Sequence, residues 1–308
     1  MSALLLFSVQ PMFAKMVLPV LGGSPSVWAV AMCFFQAALL AGYVYAHLLI
    51  RFLSPRVGGF VHLAVFALAL VALPIGIPAS WHEPPAGDPY LWQMSLFAIA
   101  VGPPFFAVAA NAPLLQAWFA RTGHPHGRDP YFLYAASNLG SLLALLSYPF
   151  VLEPALGLQA ISWTWSGGFL VLWAMIGACF FVLYAGRDAT LPAVDAAGAP
   201  AEAPGWLDRL GWVGLAFVPS ALLTAFTNHV TTDVASAPLL WVLPLALYLL
   251  TFVLVFRERS LIPRRILLAV HLAAVVVALI ALSQTRHEGW FITSSIGVIV
   301  FFASATVA

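Results

Sequence analysis

The chain has 308 residues, of which 63% are hydrophobic and 7% charged, and its net charge is +1. An average soluble domain is about 25% charged, so this composition excludes an ordinary soluble fold and indicates an integral membrane protein. The few cations are spread along the chain, which also excludes a nucleic-acid-binding face.

Long apolar runs recur along the whole chain. In order they cover about 3–21, 27–50, 58–79, 91–119, 131–152, 160–185, 208–228, 234–256, 263–284 and 289–308. The expected fold is therefore all-α and polytopic, with about ten transmembrane helices. No basic n-region or small-residue cleavage site precedes Lys15, so the first run is expected to be retained as a span. Both termini are expected to be cut ends.

The basic residues alternate. Arg51 and Arg56 follow the second run, and Arg121 and Arg128 the fourth. Arg187 and Arg209 flank the gap after the sixth, and Arg257, Arg259, Arg264 and Arg265 follow the eighth. Only Arg286 lies in one of the remaining loops. The positive-inside rule then puts the N-terminus in the cytoplasm. It puts the loops with Glu83 and Asp88, Glu153, His229 and Asp233, and Glu288 outside. Trp81, Tyr90, Trp92, Trp163, Trp165, Trp206, Trp212 and Trp290 lie near predicted span ends, as interfacial aromatics do. Cys33 and Cys179 lie within spans and are expected to be small core residues.

Residues 187–205 are rich in Ala, Pro and Gly and read as a cytoplasmic linker. The expected organisation is a first six-helix bundle over 1–186, the linker, and a second bundle of four helices over 206–308. This 6 + 4 plan, an incomplete 6 + 6, is that of the major facilitator transporters. A short echo between Ser24-Pro-Ser-Val-Trp28 and Ala237-Pro-Leu-Leu-Trp241 is consistent with related halves.

Polar residues at bilayer depth are costly, so each is a functional candidate with a plainer alternative. Lys15, the single lysine, either snorkels to the outer interface or stands in a cavity opposite an anion or Asp233. Gln10, ahead of Pro11, and Gln36 either hydrogen-bond between helices or line a cavity. The fourth span carries Gly102-Pro-Pro104 and Asn111-Ala-Pro113, with Gln116 beyond. It is expected to be kinked or broken, as packing or as a binding site. In the fifth span Ala136, Gly140 and Ala144, with Ser137 and Ser141, form a small-residue stripe for close helix packing, and Asn138 is its one candidate for more. Either Thr232 or Asp233 caps the eighth helix, or His229 and Asp233 form an outward-facing pair for a cation or proton. The candidate cavity comprises Gln10, Lys15, Gln36, Asn111, Gln116, Asn138, His229 and Asp233. His62 and His271 read as hydrogen-bonded packing residues. His124 and His126 lack further ligands, so no metal site is expected. No nucleotide, hydrolase or metalloprotease motif is present.

Four stretches carry the unusual residues. They are Gln10-Pro-Met-Phe-Ala-Lys-Met-Val-Leu-Pro-Val-Leu-Gly-Gly-Ser-Pro-Ser-Val-Trp28 and Phe34-Phe-Gln-Ala-Ala-Leu-Leu-Ala-Gly-Tyr-Val-Tyr-Ala-His47. The others are Tyr131-Phe-Leu-Tyr-Ala-Ala-Ser-Asn-Leu-Gly-Ser-Leu-Leu143 and Thr231-Thr-Asp-Val-Ala-Ser-Ala-Pro-Leu-Leu-Trp-Val-Leu-Pro-Leu-Ala-Leu-Tyr-Leu-Leu250. Together they resemble the membrane part of bacterial proteins in which facilitator-like helices are fused to a spermidine-synthase-like domain. The resemblance implies an inner-membrane location and an aminopropyltransferase-like domain after the helices. Decarboxylated S-adenosylmethionine would be a cosubstrate only of that domain, and this chain would hold no cofactor. The family's glycine-rich cofactor loop and catalytic aspartate have no counterpart here, so no catalytic residue carries over. The expected function is a non-catalytic membrane domain that anchors the enzyme and binds or moves a small substrate such as a polyamine. The expected partners are the bilayer and that domain, without nucleic acid. The alternatives are a free-standing facilitator-type transporter and a structural or assembly subunit.

Overall fold

The computed structural model describes residues 1–84, 89–120, 131–185, 205–229, 242–255 and 263–284. The expectations for Asp88, the His124–His126 loop, residues 187–204, Asp233, Glu288, Trp290 and the tenth span lie outside these residues. So does the side chain of His229. The chain divides into two compact units, Met1–Ala193 and Val194–Ala308.

The described residues are helical, with no strand among them. The first unit opens with α1 (Ser2–Leu21), α2 (Pro25–Phe52) and α3 (Pro55–Ala69). Two Ser-Pro pairs start the latter two. The Ser24 and Ser54 hydroxyls accept from the N–H groups of Val27 and Val57, and the following proline takes the first helical position, where no N–H is needed. A 3₁₀ turn, Leu70–Ala72, extends α3.

The fourth span is broken, as its prolines predict. α4 (Pro89–Ala100), α5 (Gly102–Ala109) and α6 (Asn111–Ala120) follow one another, and the pair Pro89–Ala100 and Gly102–Ala120 is bent by 65°. Val101 leaves the helical region at φ −122°, ψ −18°. Pro103 and Pro104 then lack the N–H groups that would carry α4 onward. α7 (Tyr131–Ser147) passes through a π turn, Tyr148–Leu152, into the single turn α8 (Glu153–Ala155). α9 (Leu158–Ala185) closes the unit.

Among the described residues, five helical stretches are long and apolar enough to cross a membrane: Ser2–Leu21, Ser26–Phe52, Pro55–Ala72, Leu133–Ala155 and Leu158–Val182. Counting the bent pair as one span makes six. At 1.5 Å per residue the 20-residue α1 spans about 30 Å, one hydrocarbon core. Side chains such as Leu40, Leu68, Phe150 and Phe181 are exposed on the outside, as expected of a lipid-facing surface.

α1 is the central element of this unit and packs on α7, α9, α5 and α2. Its Leu5, Val9, Met12, Phe13 and Val17 are buried. Phe13, Phe34, Phe35, Phe97 and Phe105 form an aromatic cluster joining α1, α2, α4 and α5, with ring centroids from 4.9 Å to 5.7 Å apart. Close approach is made by small residues. A Cβ on Gly42 would lie 2.9 Å from the Ala109 Cβ, and one on Gly59 would strike the Phe180 ring. The stripe on α7 faces α1: a Cβ on Gly140 would sit 3.6 Å from the Ala3 Cβ, and Ser141 and Ala144 are buried. Ala136, at the top of that stripe, is exposed.

Two expectations are corrected. Cys33 and Cys179 are exposed, not core. In a membrane protein an apolar position can face lipid as well as core, and composition does not separate the two. Trp165 is buried rather than interfacial, and its indole N–H donates to the Leu5 carbonyl at 2.9 Å.

In the second unit, α10 (Trp206–His229) carries Pro219, and its start is capped by Asp208, which accepts from the Gly205 N–H. α11 (Val242–Val255) packs on α10, with Val242, Ala246 and Leu249 buried at helical spacing. α12 (Arg264–Gln284) follows.

Candidate functional site

Two polar clusters stand out in the first unit. The first is an ion pair between Lys15 on α1 and Glu153 at the start of α8. The Lys15 ammonium donates to Oε1 of Glu153. The two side chains are 33% and 29% exposed, so the pair is half-buried and reachable. Oε2 of Glu153 is buried and has no partner among the described residues; nor has the buried hydroxyl of Tyr148, five residues earlier.

The local backbone explains this placement. Pro149 and Pro154 lack N–H groups, so the Leu145 and Phe150 carbonyls lose their ordinary helical donors. The helix widens in response, and the Glu153 N–H reaches five residues back to the Tyr148 carbonyl. π turns of this kind occur often at functional sites, since they re-aim side chains without ending the helix.

The second cluster lies near the middle of the Pro55–Ala72 span. His62 Nε2 and Asn111 Oδ1 are 2.9 Å apart, and both residues are fully buried. With Nε2–H as donor to Oδ1, Nδ1 of His62 is left as an acceptor and Nδ2 of Asn111 as a donor. Neither has a partner among the described residues, and the same holds for the buried hydroxyl of Tyr45, whose ring centre is 6.0 Å from that of His62. The pair ties α3 to the broken fourth span. His62 meets Phe66 edge to face, and Phe66, Phe169 and Trp165 stack in turn, joining α3 and α9.

Gln10 turns back to the Leu6 carbonyl of its own helix at 3.4 Å. Lys15 is held by Glu153, a carboxylate of the same unit, and Asp233 lies outside the described residues. Gln36 is exposed on α2, Asn111 pairs with His62, and Gln116 and Asn138 are half-buried. Among the described residues no hydrogen bond or ion pair joins any two of these six. Glu153, Tyr148 and Tyr45 were missed; the signal that finds the first two is the pair Pro149 and Pro154 around a carboxylate. Gln93 was also missed: fully buried on α4, it donates to the Val27 carbonyl of α2 at 2.8 Å.

No group of three or more metal-binding side chains occurs among the described residues. Comparison with protein families, curated proteins and solved structures found no match.

Proposed function

We propose that this chain is the non-catalytic membrane domain of a spermidine-synthase-like fusion protein of the bacterial inner membrane. It anchors a cytoplasmic enzyme domain and binds or moves a small substrate such as a polyamine. The reading comprises about ten spans in a 6 + 4 arrangement, the N-terminus in the cytoplasm, and a linker over 187–205. The observation that carries it is the four-motif resemblance, three of whose stretches fall on the packed helices α1, α2 and α7. Decarboxylated S-adenosylmethionine is then a cosubstrate of the attached domain alone.

The test is the native polypeptide, purified from the membranes of its source with its own C-terminus. Its mass and sequence should extend past Ala308 through further apolar helices into a βα domain with a glycine-rich loop. That protein should transfer aminopropyl groups. A native polypeptide with no such domain would overturn the reading. A free-standing facilitator-type transporter is then favoured, on the strength of the 65° break in the fourth span.

A further inference from the structure

The pairing of Lys15 with Glu153 leaves a specific chemical deficit. Glu153 has two carboxylate oxygens, and one is used. An arginine would engage both at once through its planar fork. Here the partner is the single lysine of a chain whose other eleven basic residues are arginines. Its ammonium is a point donor that takes Oε1 and leaves Oε2 buried without a partner among the described residues. A buried acceptor of this kind is costly unless a donor reaches it. The buried hydroxyl of Tyr148, whose carbonyl accepts the Glu153 N–H across the π turn, is in the same condition.

We propose that Glu153, with Tyr148 and Lys15, forms a binding site for a primary alkylammonium group. The ligand's N–H groups are taken by Glu153 Oε2 and the Tyr148 hydroxyl. Lys15 is itself a tethered primary alkylammonium on the same carboxylate, so the site already holds the head group it is built to accept. Glu153 bridges the two cations, one from each oxygen. A quaternary ammonium has no N–H to give, and a carboxylate ligand would meet the Glu153 charge, so both are rejected. The site gives a location to the small-substrate part of the proposed function and rests on that part; the anchoring role is independent of it.

The experiment is binding to the purified whole protein in detergent, followed by thermal stabilisation and calorimetry. n-Butylamine and 1,4-diaminobutane are the ligands, with tetramethylammonium and butyrate as controls. The two amines should bind and the controls should not. Lys15→Arg should keep the ion pair and the fold, fill both oxygens, and weaken amine binding by about tenfold or more. Glu153→Gln should remove binding. If Glu153→Gln fails to fold, Lys15→Arg still decides. Amine binding equal in the wild type and Lys15→Arg, or stabilisation by tetramethylammonium as strong as by butylamine, would overturn the proposal, as would no amine binding at millimolar concentration. None of these results bears on whether an enzyme domain follows the helices.

Discussion

Removing either member of the His62–Asn111 pair strands the other in the bundle interior. An unpartnered buried polar group costs about 1–3 kcal/mol. His62→Leu and Asn111→Leu should therefore each lower stability by about that amount. The double variant should cost less than the two singles together, because it leaves no orphan from the pair. Unfolding of the four proteins in mild detergent measures the coupling directly, and strictly additive losses would mean that the 2.9 Å contact carries no coupling energy. The same logic separates this pair from Gln10, which bonds within its own helix and whose loss should be mild.

At the level of helices, small residues matter by how closely the neighbour stands. The Gly42 position meets Ala109 and the α5 backbone at 2.9–3.3 Å, whereas a Cβ on Gly140 meets only ordinary contact at 3.6 Å and beyond. Gly42→Ala should therefore destabilise by about 1–3 kcal/mol, while Gly140→Ala should be close to neutral. Gly140→Leu exceeds that space and should resemble Gly42→Ala. Melting temperatures in detergent distinguish these cases, and equal values for Gly42→Ala and Gly140→Ala would contradict the packing described. Much of this level was legible in sequence. Apolar length locates the helices of the first unit, and Pro103 with Pro104 break the fourth span. The four-residue spacing on α7 also points to the face that packs on α1. What was not legible depends on facing. Cys33, Cys179, Trp165 and Gln36 lie in apolar surroundings whether they point at protein or at lipid, so hydropathy is silent about them. Glu153 reads as a loop residue because a π turn leaves no periodic signature in five residues. Its pairing with Lys15, 138 residues away, depends on tertiary packing that neither local pattern encodes.

For the whole molecule, the arginine alternation, the apolar helices and the charged cluster make one connected account. The Lys15–Glu153 pair lies toward the C-terminal ends of α1 and of the Leu133–Ala155 span, which is the outward side if the N-terminus is cytoplasmic. The proposed alkylammonium site then lies on the side opposite the proposed enzyme domain. The side of the membrane that this pair faces therefore depends on orientation. The most direct measurement is impermeant thiol labelling in intact cells, with single cysteines placed at 86 and 195 in a Cys33→Ala, Cys179→Ala background. The account predicts labelling at 86 and protection at 195 until the membrane is permeabilised. Labelling at 195 with protection at 86 would contradict it.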